Sequence, residues 1–409
     1  MLAPRPIAFL ALLLPLSLFP QQPLTLASAI REAIDKHPLL AAADGRVSTA
    51  QGLLEQAALK PNPRLTLQLE NLRGGWQSPY RPLTDNDHFV YITQTLETAR
   101  KRERRTDLAT ANKELAAIAR DILAQRIAAQ VREAFWSAAG AARIAAVYNE
   151  TVTNFAQTVA YHEVRVKEGN MAEADLIRIK LENERLRLAA SGATLNAEKA
   201  IINLQREMGR TVFEDNLKIA DTLDEKSQIP AENVDEALNR RAEVRLARQG
   251  VAASAANEQL QTALARPDLD LSAGYKRTNG YDGLLAYLNM DLPWRNKNQG
   301  NIAAAAAEVR VARSNVAAAE ALVRAEIRAA YSAYRLRQSQ ISGMLTALSQ
   351  HARDTARIAQ AAYREGGADL LRLLDAERVR LETELLRVQA QTEFRLSESA
   401  VDTAMGVMP

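Results

Sequence analysis

Cysteine is absent from the 409 residues. The chain therefore has no disulfide framework, no zinc–thiolate site, no cysteine nucleophile and no cysteine to carry an N-terminal lipid. Aromatic residues are scarce, at 5% of the chain, and only four histidines occur: His37, His88, His162 and His351. They are scattered, and no His/Asp/Glu cluster has ligand spacing, so no metal site is expected. Neither sign of charge dominates. The 52 Lys and Arg against 49 Asp and Glu leave a net of +3, unlike the clustered basic surplus of a nucleic-acid binder. No Gly-rich phosphate loop and no Ser/His/Asp signature is present, which argues against an enzyme and implies no cofactor.

Long apolar runs are also missing after the first 20 residues, where nothing approaches the roughly 20 apolar residues of a spanning helix. If the mature chain crosses a membrane, it does so with strands. The N-terminus itself reads as a secretory signal over residues 1–20: Arg5 precedes an apolar run from Ile7 to Phe19, although no small-x-small triplet closes it. A short membrane anchor is the alternative. Cleavage removes Arg5 and leaves a net charge of +2.

What the chain does have is alanine, charge and one pattern written twice. Apolar residues make up 47% of it, much of that alanine, a composition that favours long, closely packed helices. Residues 38–210 and 243–406 follow one order: a helical segment, a proline, an alternating strand, a polar loop, a second strand, a very long helix, a Gly-containing turn and a return helix. Pro63-Arg-Leu-Thr-Leu matches Pro267-Asp-Leu-Asp-Leu, Val131-Arg-Glu-Ala-Phe matches Ile327-Arg-Ala-Ala-Tyr, and Glu168-Gly169 matches Glu365-Gly366. The repeats are assigned to 24–210 and 237–408, with a polar linker at 211–236.

Strands are expected at 64–72, 88–97, 268–276 and 284–292, each about nine residues and alternating. In the first, Leu65, Leu67 and Leu69 alternate with Thr66, Gln68 and Glu70. Polar loops are expected from Arg73 to Asp87 and from Arg277 to Gly283. The long helices are expected at 97–167 and 298–365, without proline and with apolar residues at three–four spacing, such as Leu115, Ile118 and Ile122. Return helices follow at 172–208 and 368–404. Four strands are too few to close a barrel, and open edges do not sit in lipid. A membrane reading therefore requires several chains to share one barrel, and three copies give twelve strands. A pair of amphipathic hairpins in a soluble protein, or a free coiled coil, is the plainer alternative.

At this point the sequence resembles the TolC family of outer-membrane efflux ducts over residues 24–408. The marks are Thr25-Leu-Ala-Ser-Ala-Ile with His37-Pro38; Gln94 followed by Lys101-Arg102 and Arg105; Leu292-Pro293-Trp294 with Arg295-Asn296 and Asn298-Gln299-Gly300; and Tyr363 with Gly366 and Leu373-Leu374-Asp375-Ala376. The third mark is most similar to the outer-membrane subunits of cobalt–zinc–cadmium efflux systems. The resemblance implies a mainly α fold with transmembrane β: a homotrimer with a twelve-stranded β-barrel in the outer membrane and a long α-barrel through the periplasm. It implies a passive duct working with a periplasmic adaptor and an inner-membrane RND pump, exporting heavy-metal cations. A duct of the same fold for drugs or secreted proteins, and a periplasmic coiled-coil adaptor, are the alternatives.

The resemblance also places roles. Asp175 falls on an acidic latch position at the helix tips and Tyr363 on its phenolic partner. Asp375 falls on a pore-lining acidic position, while Arg372 replaces a second acid there, which puts a cation-selective double acidic ring in doubt. Gly169 and Gly366 permit the left-handed backbone of the tip turns. The basic run Lys101, Arg102, Arg104 and Arg105 opens the first long helix, where positive charge opposes the macrodipole. Lipid phosphate below the membrane, or Glu97, is the expected compensation.

Overall fold

The computed structural model describes residues 23–72, 81–215, 217–224 and 229–407. The expected signal at 1–20 lies outside these, as does the loop segment 73–80. In chain order the elements are α1 (Leu26–Lys36), α2 (Pro38–Ala57), β1 (Arg64–Glu70), α3 (Pro82–Asp85), β2 (Asp87–Leu96), α4 (Lys101–Lys167), α5 (Glu173–Glu207), α6 (Val234–Arg240), α7 (Ala242–Leu264), β3 (Leu269–Thr278), β4 (Tyr281–Met290), α8 (Gln299–Ser339), a π-helical turn (Gln340–Leu345), α9 (Thr346–Arg364) and α10 (Leu370–Ala404).

The four strands form one antiparallel sheet in the order β1-β2-β3-β4, so β2 and β3, one from each repeat, pair at its centre. The register puts Leu65, Ile92, Ala273 and Ala286 in one row and Leu67, Val90, Tyr275 and Leu284 in the next. All lie on one face, and most of these large side chains are exposed. The opposite face carries Thr93, Ser272, Thr95 and Asp270, joined across strands by hydrogen bonds of 2.8 Å (Thr93 to Ser272) and 2.6 Å (Thr95 to Asp270). Alternation in sequence has become an apolar face and a hydroxyl-rich face. At the centre, Tyr91 meets the ring of Tyr287 edge-on at 5.6 Å. Gly274 lies beneath them, where a Cβ would strike Val90 O and the Tyr91 backbone.

Two boundaries differ from expectation for backbone reasons. The loop expected at 277–283 is only Asn279–Gly280, both at positive φ (50° and 83°), so β3 and β4 run up to a two-residue turn. The first long helix starts at Lys101, not residue 97, because Ala99 and Arg100 are left-handed (φ 52° and 59°) and turn the chain from sheet to helix. Asn298 does the same before α8 (φ 59°).

At 67 residues, α4 is about 100 Å long at 1.5 Å per residue. It packs against α2 and α7 in its upper half and against α5 and α10 lower down, while α10 packs against α8 and α9. Buried side chains concentrate where the repeats meet at mid-length: Ile30, Val131, Phe135, Leu204 and Met208 in repeat one, and Val244, Ile327, Tyr331, Val401 and Met405 in repeat two. Val131 and Ile327 are both fully buried, as the matched motifs require. The linker is tied into this girdle. Leu24 bridges Ile219 in parallel, Tyr331 donates to Pro230 O at 2.6 Å, and α6 begins at Val234 inside the stretch read as irregular. The second long helix is not one uninterrupted α-helix. From Val131 to Gly169 is 38 residues and from Ile327 to Gly366 is 39, and the π-turn at Gln340–Leu345 takes up the extra one. There Thr346 Oγ1 donates to the carbonyl of Ile341, five residues back.

Candidate functional site

The tips are built by two equivalent turns. Gly169 (φ 74°) and Gly366 (φ 77°) each follow a helix whose last carbonyls are closed by i→i−5 bonds: Asn170 N–H to Arg165 O and Gly367 N–H to Ala362 O, both 2.8 Å. This is the Schellman arrangement, in which a left-handed residue lets the chain reverse. The return helices start differently. Asp369 caps α10, accepting from Arg372 N–H at 2.9 Å. No side chain caps α5, which has Glu173 and Asp175 in its first turn, where acids favour the helix dipole.

Tyr363 packs against the buried cluster that holds Phe155, Ile179 and Leu373. Burial pushes the Tyr363 phenol above its ordinary value; the Asp175 carboxylate adds to that and Arg165 opposes it. The hydroxyl is nevertheless not bonded to Asp175. It lies 2.7 Å from Nε2 of His162, which is 1% exposed and meets Tyr161 edge-on at 5.2 Å. Sequence spacing sets His162 among four dispersed histidines and gives no sign of its contact with Tyr363. The available signal was its place seven residues after Phe155, on the buried face of α4. A cavity of about 610 Å³ opens beside this pair, between α4, α5, α9 and α10.

Asp375 is exposed on α10 and ion-paired with Arg378 at 2.8 Å. Arg372, three residues earlier, is exposed on the same face. A single carboxylate thus lies between two guanidinium groups.

At the other end of α4 the basic run turns largely inward. Lys101 is buried, its ammonium 2.7 Å from Asp268. Arg105 clamps Glu97 at 2.6 Å and donates to Ala57 O and Leu59 O. Arg104 reaches Gln259 at 2.6 Å. Of the four, only the Arg102 side chain makes no hydrogen bond or ion pair among the described residues, so most of the charge expected to face lipid instead ties the helix start to its neighbours. Glu97 was one of the two expected compensations.

A protein-family model, "Outer membrane efflux protein", matches residues 29–210 and 233–407. The chain belongs to that family. Each of the two matched segments carries one strand pair and one long hairpin. Solved structures of outer membrane proteins share this efflux-protein fold. CusC is 18% identical with a TM-score of 0.79, covering 93% of this chain and 92% of its own. The Neisseria gonorrhoeae MtrE outer membrane channel, in its open state, is 19% identical with a TM-score of 0.77, covering 93% and 88%. VceC from Vibrio cholerae is 19% identical with a TM-score of 0.73, covering 93% and 96%. No match is found among curated protein sequences.

Proposed function

We propose that this efflux protein is the passive outer-membrane duct of a tripartite pump, working as a homotrimer with a periplasmic adaptor and an inner-membrane RND pump. One observation carries the reading: a four-stranded sheet with an apolar outer face and two unpaired edges, β1 and β4. Such a sheet is tolerable in lipid only when closed, and three copies supply twelve strands. The helices support the same closure. α5 packs chiefly on α4, leaving Ile177, Leu181, Leu188, Leu195 and Ile202 exposed at near-heptad spacing. On the opposite flank Leu336, Met344, Leu348 and Ile358 are exposed. Two different apolar edges meeting head to tail close a ring.

The tips form the gate, with Asp175 and Tyr363 as latch and Asp375, flanked by Arg372 and Arg378, at the aperture. The substrate reading, heavy-metal cations, rests on the junction at residues 292–300. Crosslinking of outer-membrane fractions is expected to yield a three-chain species. Deleting the gene is expected to lower resistance to zinc, cobalt or cadmium in cells carrying a metal-type pump. A stable soluble monomer overturns the trimer, and a resistance loss confined to drugs overturns the metal assignment.

A further inference from the structure

The cavity beside His162 and Tyr363 has two unlike zones. Its floor is apolar: Phe155 on α4, Leu186 on α5, and Leu373 and Leu381 on α10 are all buried and belong to one hydrophobic cluster. The polar ring at the floor brings no unmet demand. His162 is 1% exposed, with Nδ1 2.6 Å from Thr158 O and Nε2 2.7 Å from the Tyr363 hydroxyl, so both ring nitrogens are engaged within the chain. A floor of that kind favours an apolar body over ordered water.

The mouth is cationic. Five guanidinium groups line the cavity against two carboxylates, Glu182 and Glu377. Those two are occupied, Glu182 by Arg185 at 3.0 Å and Glu377 by Arg380 at 2.8 Å. Arg353 is tied to Glu384 on α10 at 3.3 Å. Arg364 ends α9, is exposed, and its side chain makes no hydrogen bond or ion pair among the described residues. Arg357 lies two turns earlier, roughly 10 Å along the same face of the helix. It and Arg378 on α10 hold only exposed acids of their own helices, Asp354 at 3.0 Å and Asp375 at 2.8 Å. Exposed pairs of this type are weak, so their guanidinium groups stay available to another anion.

We propose that this cavity binds a compact amphiphilic anion: an aromatic or alicyclic body carrying one carboxylate or sulfonate. At about 610 Å³ it falls within the range of small-molecule sites. The body rests on the floor of Phe155, Leu186 and Leu373, and the head stays at the mouth in the field of Arg357, Arg364 and Arg378. An apolar cation of the same size meets the same floor but a repelling rim. The lining comes from α4 and α5 of the first repeat and from α9 and α10 of the second, so one occupant fastens the two hairpins to each other. All of these residues belong to a single chain, and the site needs neither a second copy nor the gate latch.

The test titrates naphthalenesulfonate, and its neutral analogue naphthalenesulfonamide, into the full-length protein in lipid nanodiscs by calorimetry, with empty nanodiscs subtracted. The sulfonate is expected to fill one site per chain with a Kd on the order of 10–100 μM, and the sulfonamide to bind roughly tenfold more weakly. Arg357→Gln combined with Arg364→Gln is expected to weaken the sulfonate roughly tenfold and leave the sulfonamide unchanged. Gln360→Trp lies between those arginines on the exposed face of α9, keeps every charge and fills the mouth, and is expected to abolish binding of both. A saturating dose of sulfonate is expected to raise the thermal midpoint of the parent and not that of Gln360→Trp. Absence of a saturable site, equal affinity for the two probes, or parental binding in Gln360→Trp overturns the inference. If Gln360→Trp does not assemble, the paired arginine variant decides: undiminished sulfonate affinity there overturns it equally.

Discussion

The junction between sheet and long helix offers a quantitative test through Lys101 and Asp268. Lys101 is 6% exposed, and its ammonium lies 2.7 Å from Asp268 Oδ1. The same oxygen accepts from Thr98 N–H at 2.9 Å. Removing one partner of a buried ion pair costs about 3–5 kcal/mol when the other is left uncompensated. The two removals are unequal here. The Asp268 side chain is 32% exposed and keeps its Thr98 bond, so Lys101→Met leaves a carboxylate that water and a peptide N–H still serve. That change is expected to cost about 1 kcal/mol. Asp268→Ala strands a buried ammonium and the Thr98 N–H together, and is expected to cost about 3 kcal/mol. The double variant removes both charges and is expected to cost about 2 kcal/mol, well short of the sum. Heat-induced loss of the folded band on gels, followed as a midpoint for the four proteins, reads this series. Equal single effects that simply add in the double would refute the reasoning, since they would mean that the pair is neither buried nor coupled.

Arg372→Glu converts the flanked acid into a double acidic face, and reversal potentials in bilayers are expected to move toward cation selectivity, with Asp375→Asn moving them the other way. Gly274→Val places a side chain into the Tyr91 backbone and is expected to abolish the heat-modifiable folded form, whereas the same change at Gly45, which has open space around it, is expected to leave that form intact. Arg210 holds Glu32 through two bonds of 2.7 and 2.8 Å and keeps its carboxyl below the ordinary 4.5. A lowered folded value means that this clamp is complete above 4.5 and is lost as pH falls below it. The thermal midpoint of the parent is expected to drop more between pH 6 and pH 4 than that of Glu32→Gln.

Much of the architecture was legible because it is periodic. Alternation at Leu65, Leu67 and Leu69 is enough to place a strand and choose its face, and the matched Val131 and Ile327 motifs mark where both long helices cross the girdle. Boundaries were less legible where the deciding residue is chemically ordinary. Nothing in Ala99 or Arg100 announces a left-handed backbone, which tertiary contacts such as the Thr98 N–H to Asp268 bond impose from outside. Asn279–Gly280, by contrast, carries its turn in its composition. At the tips, motif position supplied Asp175 and Tyr363, but the partner of a hydroxyl is a matter of three-dimensional packing. His162, read only for metal chemistry, was passed over for that reason.

The π-turn at Gln340–Leu345 has a further meaning when α9 is considered as a rotating shaft. Each residue advances an α-helix by about 100° around its axis. Had the one-residue excess of repeat two been wound as ordinary α-helix, every side chain below it would have been turned by that angle, and Tyr363 would no longer point at His162. The wide turn holds the phase of the lower shaft while its sequence is longer. The direction in which Tyr363 points is thus set some twenty residues upstream of it. Substitutions around Gly343 that tighten or shift the wide turn would act on the helix tip as a twist without touching any residue of the tip itself. Deleting Gly343, which lets the segment close into regular helix, should keep the tip aligned.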